Sequence, residues 1–425
     1  MRSGTATWGY ERLDRRTTHT LVTHSDSAAT IASAAPSRPP GLLPYLLAQV
    51  VFGLLAMTIC LPSMQEWGDL FDASAARVQL TFSAFVLAYG VSQLLYGPLS
   101  DRFGRRPVVL LGLAVAIAGS CVATFASGID GLIVGRMIQG LGCGATMVVG
   151  RSLVQDFFSG PERTRVMAFI GMTMGVCPPA ATLVGGQLHV HLGWQANPAL
   201  VALLGLGLFG LALRMLPRPI AKAPSESHWV RAMLSAYRAL ARVRPYLLHV
   251  TILGASTGTF YTYLAAAPLV LRGYGVGPEG VGVHVVMATL SYVVGNWFTS
   301  RLIRSLGDRK LMVMGQIVTL CAVALMIAIA GWESPFAFSL PAIVLGFGHG
   351  LLMPPTLSGT VGAVPALAGA AAAAAGLIQQ LSGAFGGYTV GWVSTEGSFQ
   401  VALLLTGFTL VGAIAQWALR GTLHR

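Results

Sequence analysis

Twelve apolar runs, each about the length that crosses a bilayer, are the feature that most constrains this 425-residue chain. They lie near 42–62, 78–98, 107–127, 130–150, 165–187 and 197–216, then near 246–270, 280–300, 310–331, 336–356, 366–389 and 399–420. A spanning helix needs roughly 20 apolar residues for about 30 Å of hydrocarbon. Strands of a membrane barrel would instead alternate over about ten residues, so continuous runs of this length exclude a barrel. Only 10% of residues are charged, against about a quarter in a soluble domain, which sets aside an ordinary cytosolic enzyme and a disordered chain. The expected fold class is an all-α integral membrane protein, twelve transmembrane helices in two pseudo-symmetric six-helix bundles.

The net charge of +12 is compatible with nucleic acid, an anionic surface or a topology signal, and its distribution decides. Assigning loops to alternating sides places 24 of the 27 Lys and Arg residues with the N-terminal tail, and only Arg77 and Arg272 opposite, leaving Arg136 inside the fourth span. That asymmetry follows the positive-inside rule and puts both termini in the cytoplasm. Nucleic acid is therefore not expected as a partner; the bilayer is. Five cysteines, all in apolar stretches and without a CxxC pair, indicate neither a disulfide framework nor a metal site. His189 and His191, one residue apart, are no metal site without further ligands. Residues 1–40 lack an apolar core, read as a Ser/Thr/Ala-rich disordered tail, and carry no cleavable signal peptide.

The longest polar segment between spans, 217–245, holds Pro217, Pro219, Pro224 and a cluster of cations. It divides the chain into a bundle at 41–216, a cytoplasmic linker, a bundle at 246–420 and a short tail at 421–425. A faint repeat supports the division. Gly97, Asp101-Arg102 and Gly104-Arg105-Arg106 after the second span have an echo in Gly295, Arg301 and Gly307-Asp308-Arg309-Lys310 after the eighth. Two similar halves with a site between them is a transporter plan. Neither lysine, Lys222 or Lys310, sits in a Walker A sequence, so any pumping draws on an ion gradient.

The strongest local signal is Gly97-Pro98-Leu99-Ser100-Asp101-Arg102-Phe103-Gly104-Arg105-Arg106. Glycine permits a tight turn, and a carboxylate within reach of three guanidiniums makes a charge cluster at the membrane face. This segment resembles the loop signature of the major facilitator superfamily. Extended to Gln93, it resembles the Bcr/CflA-type drug:proton antiporters. The resemblance implies a twelve-helix monomer of the bacterial inner membrane that uses the proton gradient and no cofactor or metal, exchanging protons for a small-molecule substrate. It also implies that Asp101 and Arg105, with Asp156 at the end of the fourth span, latch the inner gate. Exposed topology-setting cations would explain the arginines but not the ordered glycine and aspartate positions.

Arg136, within Leu132-Ile133-Val134-Gly135-Arg136-Met137-Ile138-Gln139-Gly140, resembles the fourth-helix arginine that the family places near its proton pathway. The other reading is a side chain snorkelling to an interface. Gly140, Gly142 and Gly144 suit close helix packing. The fifth span carries Gly175, Pro178, Pro179, Gly185 and Gly186, and a bend is expected there. It departs from the family in having Ala181-Thr182 where a Gly-Pro or Ala-Pro pair precedes the last glycines. Thr58 stands where the family often has an acidic residue, and no Asp or Glu lies at the middle of any span. The proton-coupling candidates are therefore Arg136, Glu66 and Asp69 beyond Pro62, and His349 between glycines in the tenth span.

Thr58, Gln93, Gln139, Tyr261, Tyr263, Asn296, Gln379 and Gln380 are among the least lipid-compatible residues within spans, and are expected to face a central cavity. The run Gly369 to Gly376 offers a smooth surface, either for sliding past the second-to-third loop or as a packing seam. The functional expectation is efflux of drugs or small amphipathic compounds in exchange for protons by alternating access, with export of an endogenous metabolite such as a sugar or siderophore as the alternative. An integral-membrane enzyme would need paired carboxylates, a His box or an activated nucleophile, and none appears.

Overall fold

The computed structural model describes residues 40–158, 160–216, 229–332, 334–395 and 397–420; the tails and the first part of the linker lie outside them. The described chain contains α-helices and one short 3-10 turn. In order these are α1 (Leu42–Thr58), α2 (Met64–Leu70), α3 (Ala75–Phe103), α4 (Arg105–Thr124), α5 (Ile129–Phe157), α6 (Gly160–Leu192) and α7 (Ala196–Met215). After the linker come α8 (Trp229–Leu240), α9 (Arg244–Gly273), α10 (Pro278–Ala328), α11 (Phe336–Gly362), α12 (Ala368–Val390) and α13 (Phe399–Arg420).

α10 is two arms. They meet at Gly307, whose φ of 74° and ψ of 165° interrupt the helix. Counting the arms separately and omitting the short α2 and the linker helix α8, twelve long segments result, six on each side of the linker. Seven of the described helices are long and apolar enough to cross a membrane by themselves: α3, α4, α5, α7, α10, α11 and α13. Of the others, α1 is apolar but shorter, and α9 is less apolar for a physical reason. α9 has most of its residues buried by its neighbours, so it can carry threonines, tyrosines and glycines that lipid would penalise. On the outside, Leu203, Leu206, Ile414 and Trp417 are exposed, which is affordable only against hydrocarbon.

Glycines set the closest approaches inside the first half. A Cβ on Gly142 would overlap the backbone of Gly112 and Ala116, and one on Gly140 would overlap Phe85, so α5 lies against α4 and α3 at backbone distance. α6 runs as one helix through Pro178 and Pro179. Its Gly185 abuts the backbone of Ile59, and its Gly186 abuts Pro278 and Glu279 across the halves. The small residues of this span thus serve packing on both sides. Within the linker, α8 is amphipathic; Leu240 and Tyr237 pack with Tyr246, Ala371 and Ala375, which docks the helix on the second half.

Two long helix pairs join the halves, α3 with α12 and α6 with α10, and the short α2 also meets α9. Along α3 and α12 the contacts follow one antiparallel register: Ala76 with Gly391, Phe82 with Gly387, Gly90 with Gln380. The same register sets Leu94 opposite Gly376 and Asp101 opposite Gly369. There the helices have parted, and nothing lies within 4 Å of a Cβ built on either glycine. The halves therefore meet on the face away from the linker and separate on the linker face.

Candidate functional site

Three groups of side chains sit along this axis. On the linker face, Gly104 has φ 93° and ψ 156°, a backbone state that favours glycine, and it turns the chain sharply from α3 into α4. The turn delivers Arg105 between two carboxylates. Its Nη1 donates to Asp101 Oδ1 at 2.6 Å and to Ser100 Oγ at 2.6 Å, and its Nε donates to Asp156 Oδ2 at 2.9 Å. One planar guanidinium thereby ties α3, α4 and α5. Arg106 instead donates to the Leu213 carbonyl at 2.7 Å, at the last turn of α7. Arg102 lies over its neighbour Phe103, the Gly97 carbonyl accepts from Ser100 Oγ at 2.8 Å, and a Cβ on Gly97 would meet Val148. All of these partners belong to the first half. Both aspartates are largely exposed, so each pairing is worth about 1 kcal/mol or less and acts mainly by orienting the helices.

About two turns in from the start of α5, on the side away from the linker, Arg136 neither snorkels nor faces open space; it is buried. Its Nη1 donates to the Ala56 carbonyl at 2.7 Å and to Gln139 Oε1 at 2.5 Å, and its Nη2 to the Met57 carbonyl at 3.1 Å. Phe85 covers the guanidinium at 4.4 Å. The reason lies in α1, which ends at Thr58 just before Pro62 and leaves carbonyls of its last turn without helical partners. A cation at a helix C-terminus is favourable on both hydrogen-bonding and dipole grounds. Thr58, whose Oγ1 donates to the Leu54 carbonyl, and Gln139, whose amide donates to Ser120, are interior to this half.

The remaining polar residues of the spans divide. Tyr261 and Gln380 come together at the level where α3 and α12 part, the phenol donating to Gln380 Oε1 at 3.3 Å. Gln379 beside them donates to Thr257 Oγ1 at 3.0 Å. Gln93 is half-buried about one turn nearer the linker face. Tyr263 is elsewhere, stacked on Phe338 with centroids 4.8 Å apart, and Asn296 bonds its own helix at Tyr292. His349 is buried in α11, and its Nε2 has no hydrogen-bond partner among the described residues.

The opposite face is held shut by residues to which the sequence drew little attention. Arg272 at the end of α9 donates to the Gln65 carbonyl at 2.5 Å and to Asp69 Oδ2 at 2.5 Å, crossing between the halves. Gln65 donates to the carbonyls of Pro268 at 2.7 Å and Val276 at 3.2 Å, and Gln79 to that of Ala265 at 2.9 Å. Within the first half, Arg77 pairs with Asp130. Glu66 meets His189 Nε2 at 3.1 Å, while His189 Nδ1 lies 3.1 Å from Ser63 Oγ. A pocket of about 510 Å³ opens beside this pair, lined also by Trp194 and Pro278. Gln79, a glutamine inside an apolar run, was the one signal for the seal; Gln65 lies just beyond the first run. His189 was legible only as a poor metal ligand.

Two six-helix halves, a guanidinium tie on one face and a polar seal on the other make a carrier architecture, and the sequence as a whole agrees. Residues 45–387 match the family model of the Major Facilitator Superfamily. The chain belongs to the Major Facilitator Superfamily. This superfamily member is 29% identical over 385 residues to the multidrug resistance protein D of Escherichia coli (strain K12), covering 88% of the chain and 95% of that relative. It is 26% identical over 301 residues to a chloramphenicol resistance protein of Pseudomonas aeruginosa, covering 69% of the chain and 70% of the relative. Its fold matches the crystal structure of a bacterial homolog to the human lysosomal transporter Spinster, in an inward-facing and unoccupied conformation, with a TM-score of 0.69 at 16% identity over 89% of the chain and 96% of that structure. The transporter is thus a multi-pass membrane protein and not an enzyme.

Proposed function

We propose that this transporter exports drugs or similar small amphipathic compounds across the bacterial inner membrane in exchange for protons, by alternating access. The observation that carries the reading is the divergence of α3 and α12. They are in contact from Ala76 and Gly391 to Gly90 and Gln380, and apart from Gly376 onward. Taking the linker face as cytoplasmic, from its excess of Lys and Arg, the structure is open inward and sealed outward. Rocking the halves about the Gly90–Gln380 level would break the Arg272 and Gln65 bonds and bring the Gly369–Gly376 run onto the end of α3. The Arg105 tie would then hold Asp101 against the start of α12, closing the inner gate. The likeness to a multidrug resistance protein and a chloramphenicol resistance protein supports drug efflux.

A group that carries the coupled proton must be reachable from both faces in turn. Asp69 ties the outward seal in the closed state, so a proton it took up outside would leave before that seal re-formed. Arg136 is committed to the α1 carbonyls, and Glu66 to His189. His349 is the one of the four candidates left inside a span without that commitment, and we assign coupling to it. Proteoliposomes loaded with chloramphenicol test the whole reading: an imposed pH gradient is expected to drive flux. His349→Gln should abolish gradient-driven flux while leaving exchange of labelled for unlabelled compound. Flux indifferent to the gradient in the unmodified protein would overturn antiport.

A further inference from the structure

The polar groups at the level where α3 and α12 begin to part bear on the substrate's charge. Phe85 and Tyr89, one turn apart on α3, stack with ring centroids 6.1 Å apart, and Phe82 meets Tyr261 edge-on at 6.0 Å. The next residue, Gly90, packs on Gln380. Tyr89, Tyr261 and Gln380 are each less than a tenth exposed. Even so, the Tyr89 hydroxyl and Gln380 Nε2 have no hydrogen-bond partner among the described residues. Each is a potential donor left unused at a cost, and a ligand with acceptor oxygens relieves it.

The charged groups on either side of this level have one sign: on α5, whose Gly144 packs on Tyr89, Arg136 lies about two turns toward the seal and Arg151 about two turns toward the linker face. Among the described residues, and with the two arms of α10 counted separately, no Asp or Glu lies in the central stretch of a long helix. Arg136 holds its guanidinium beneath Phe85, and its partners are two carbonyls, an amide and a ring, all neutral. An organic cation entering here would meet a positive potential, no carboxylate and free donors that it has no acceptors to satisfy.

We infer that the roof of the cleft, formed by Tyr89, Tyr261 and Gln380 under the field of Arg136, binds uncharged aromatic compounds that present hydrogen-bond acceptors, and rejects permanent cations. The inference rests on the efflux reading above and narrows its substrate class.

Equilibrium dialysis of the full chain in detergent against chloramphenicol, uncharged and rich in acceptors, and tetraphenylphosphonium, a permanent cation without them, tests it. Chloramphenicol is expected to bind at least about tenfold more tightly. Gln380→Ala should weaken it by about tenfold. Gln380→Glu, nearly isosteric and so the variant to use if the alanine form does not fold, should reverse the preference by supplying the missing carboxylate. Tetraphenylphosphonium binding equally well, binding of neither probe, or a preference unmoved by Gln380→Glu would each overturn the inference. Its failure is separable from that of the efflux reading. Gradient-driven export of the cation would sink the inference and keep efflux, whereas chloramphenicol binding at Gln380 without gradient-driven flux would sink antiport and keep the site.

Discussion

Gly104 and Gly307, about two hundred residues apart in the chain, hold nearly the same backbone conformation, φ 93° and ψ 156° against φ 74° and ψ 165°. Each turns one spanning helix into the next on the linker face, in the corresponding place of its half. Any residue with a Cβ is strained there by about 1–2 kcal/mol. Gly104→Ala and Gly307→Ala are therefore both expected to lower the melting temperature in detergent. Only Gly104→Ala should also depress transport strongly, because its turn aims Arg105. Equal transport losses in the two variants would show that the first turn has no special role.

Arg105 bonds Asp101 and Asp156 through different nitrogens, a geometry that a lysine cannot reproduce. Arg105→Lys should reduce transport even though the charge is kept. Asp101→Asn should lower turnover more than substrate affinity, since the carboxylate acts at the gate and not on the ligand. Initial rates across a range of substrate concentrations check this, and an unchanged turnover for Asp101→Asn would remove the latch.

Asp69 and Arg272 join the halves across the closed face through groups that are about half exposed or more, so their ion pair contributes about 1 kcal/mol at most. Removing it should shift a conformational balance without unfolding the protein. Spin labels at Leu95→Cys and Ala373→Cys, after Cys121 and Cys321 are replaced by serine, report the opening of the linker face. Arg272→Ala is expected to raise the short-distance population in pulsed electron resonance. An unchanged distance distribution would assign the seal to Gln65 and Gln79 alone.

Arg136→Leu would leave the carbonyls of Ala56 and Met57 buried without donors, at about 1–3 kcal/mol each. Melting should fall markedly, and Arg136→Lys, which keeps the charge but not the fork, should fall by less. A thermally neutral Arg136→Leu would contradict the helix-capping role.

The sequence by itself determined the fold class and supplied the residues of the Asp101–Arg106 tie. Both rest on local chemistry: runs long enough to span a bilayer, and a glycine between helices beside carboxylate and guanidinium. Only the tertiary structure decided what the polar residues inside the spans do. Arg136 caps α1, because which carbonyls lack partners depends on where α1 ends against α5. Tyr261 and Gln380 meet where α3 and α12 part while Tyr263, two residues from Tyr261, stacks on Phe338, because two positions along a helix point to different neighbours. The seal of Gln65, Gln79 and Arg272 joins residues about 200 positions apart through backbone carbonyls. Every residue carries a carbonyl, so no side-chain pattern marks which of them will be bonded; the approach of the two halves selects them.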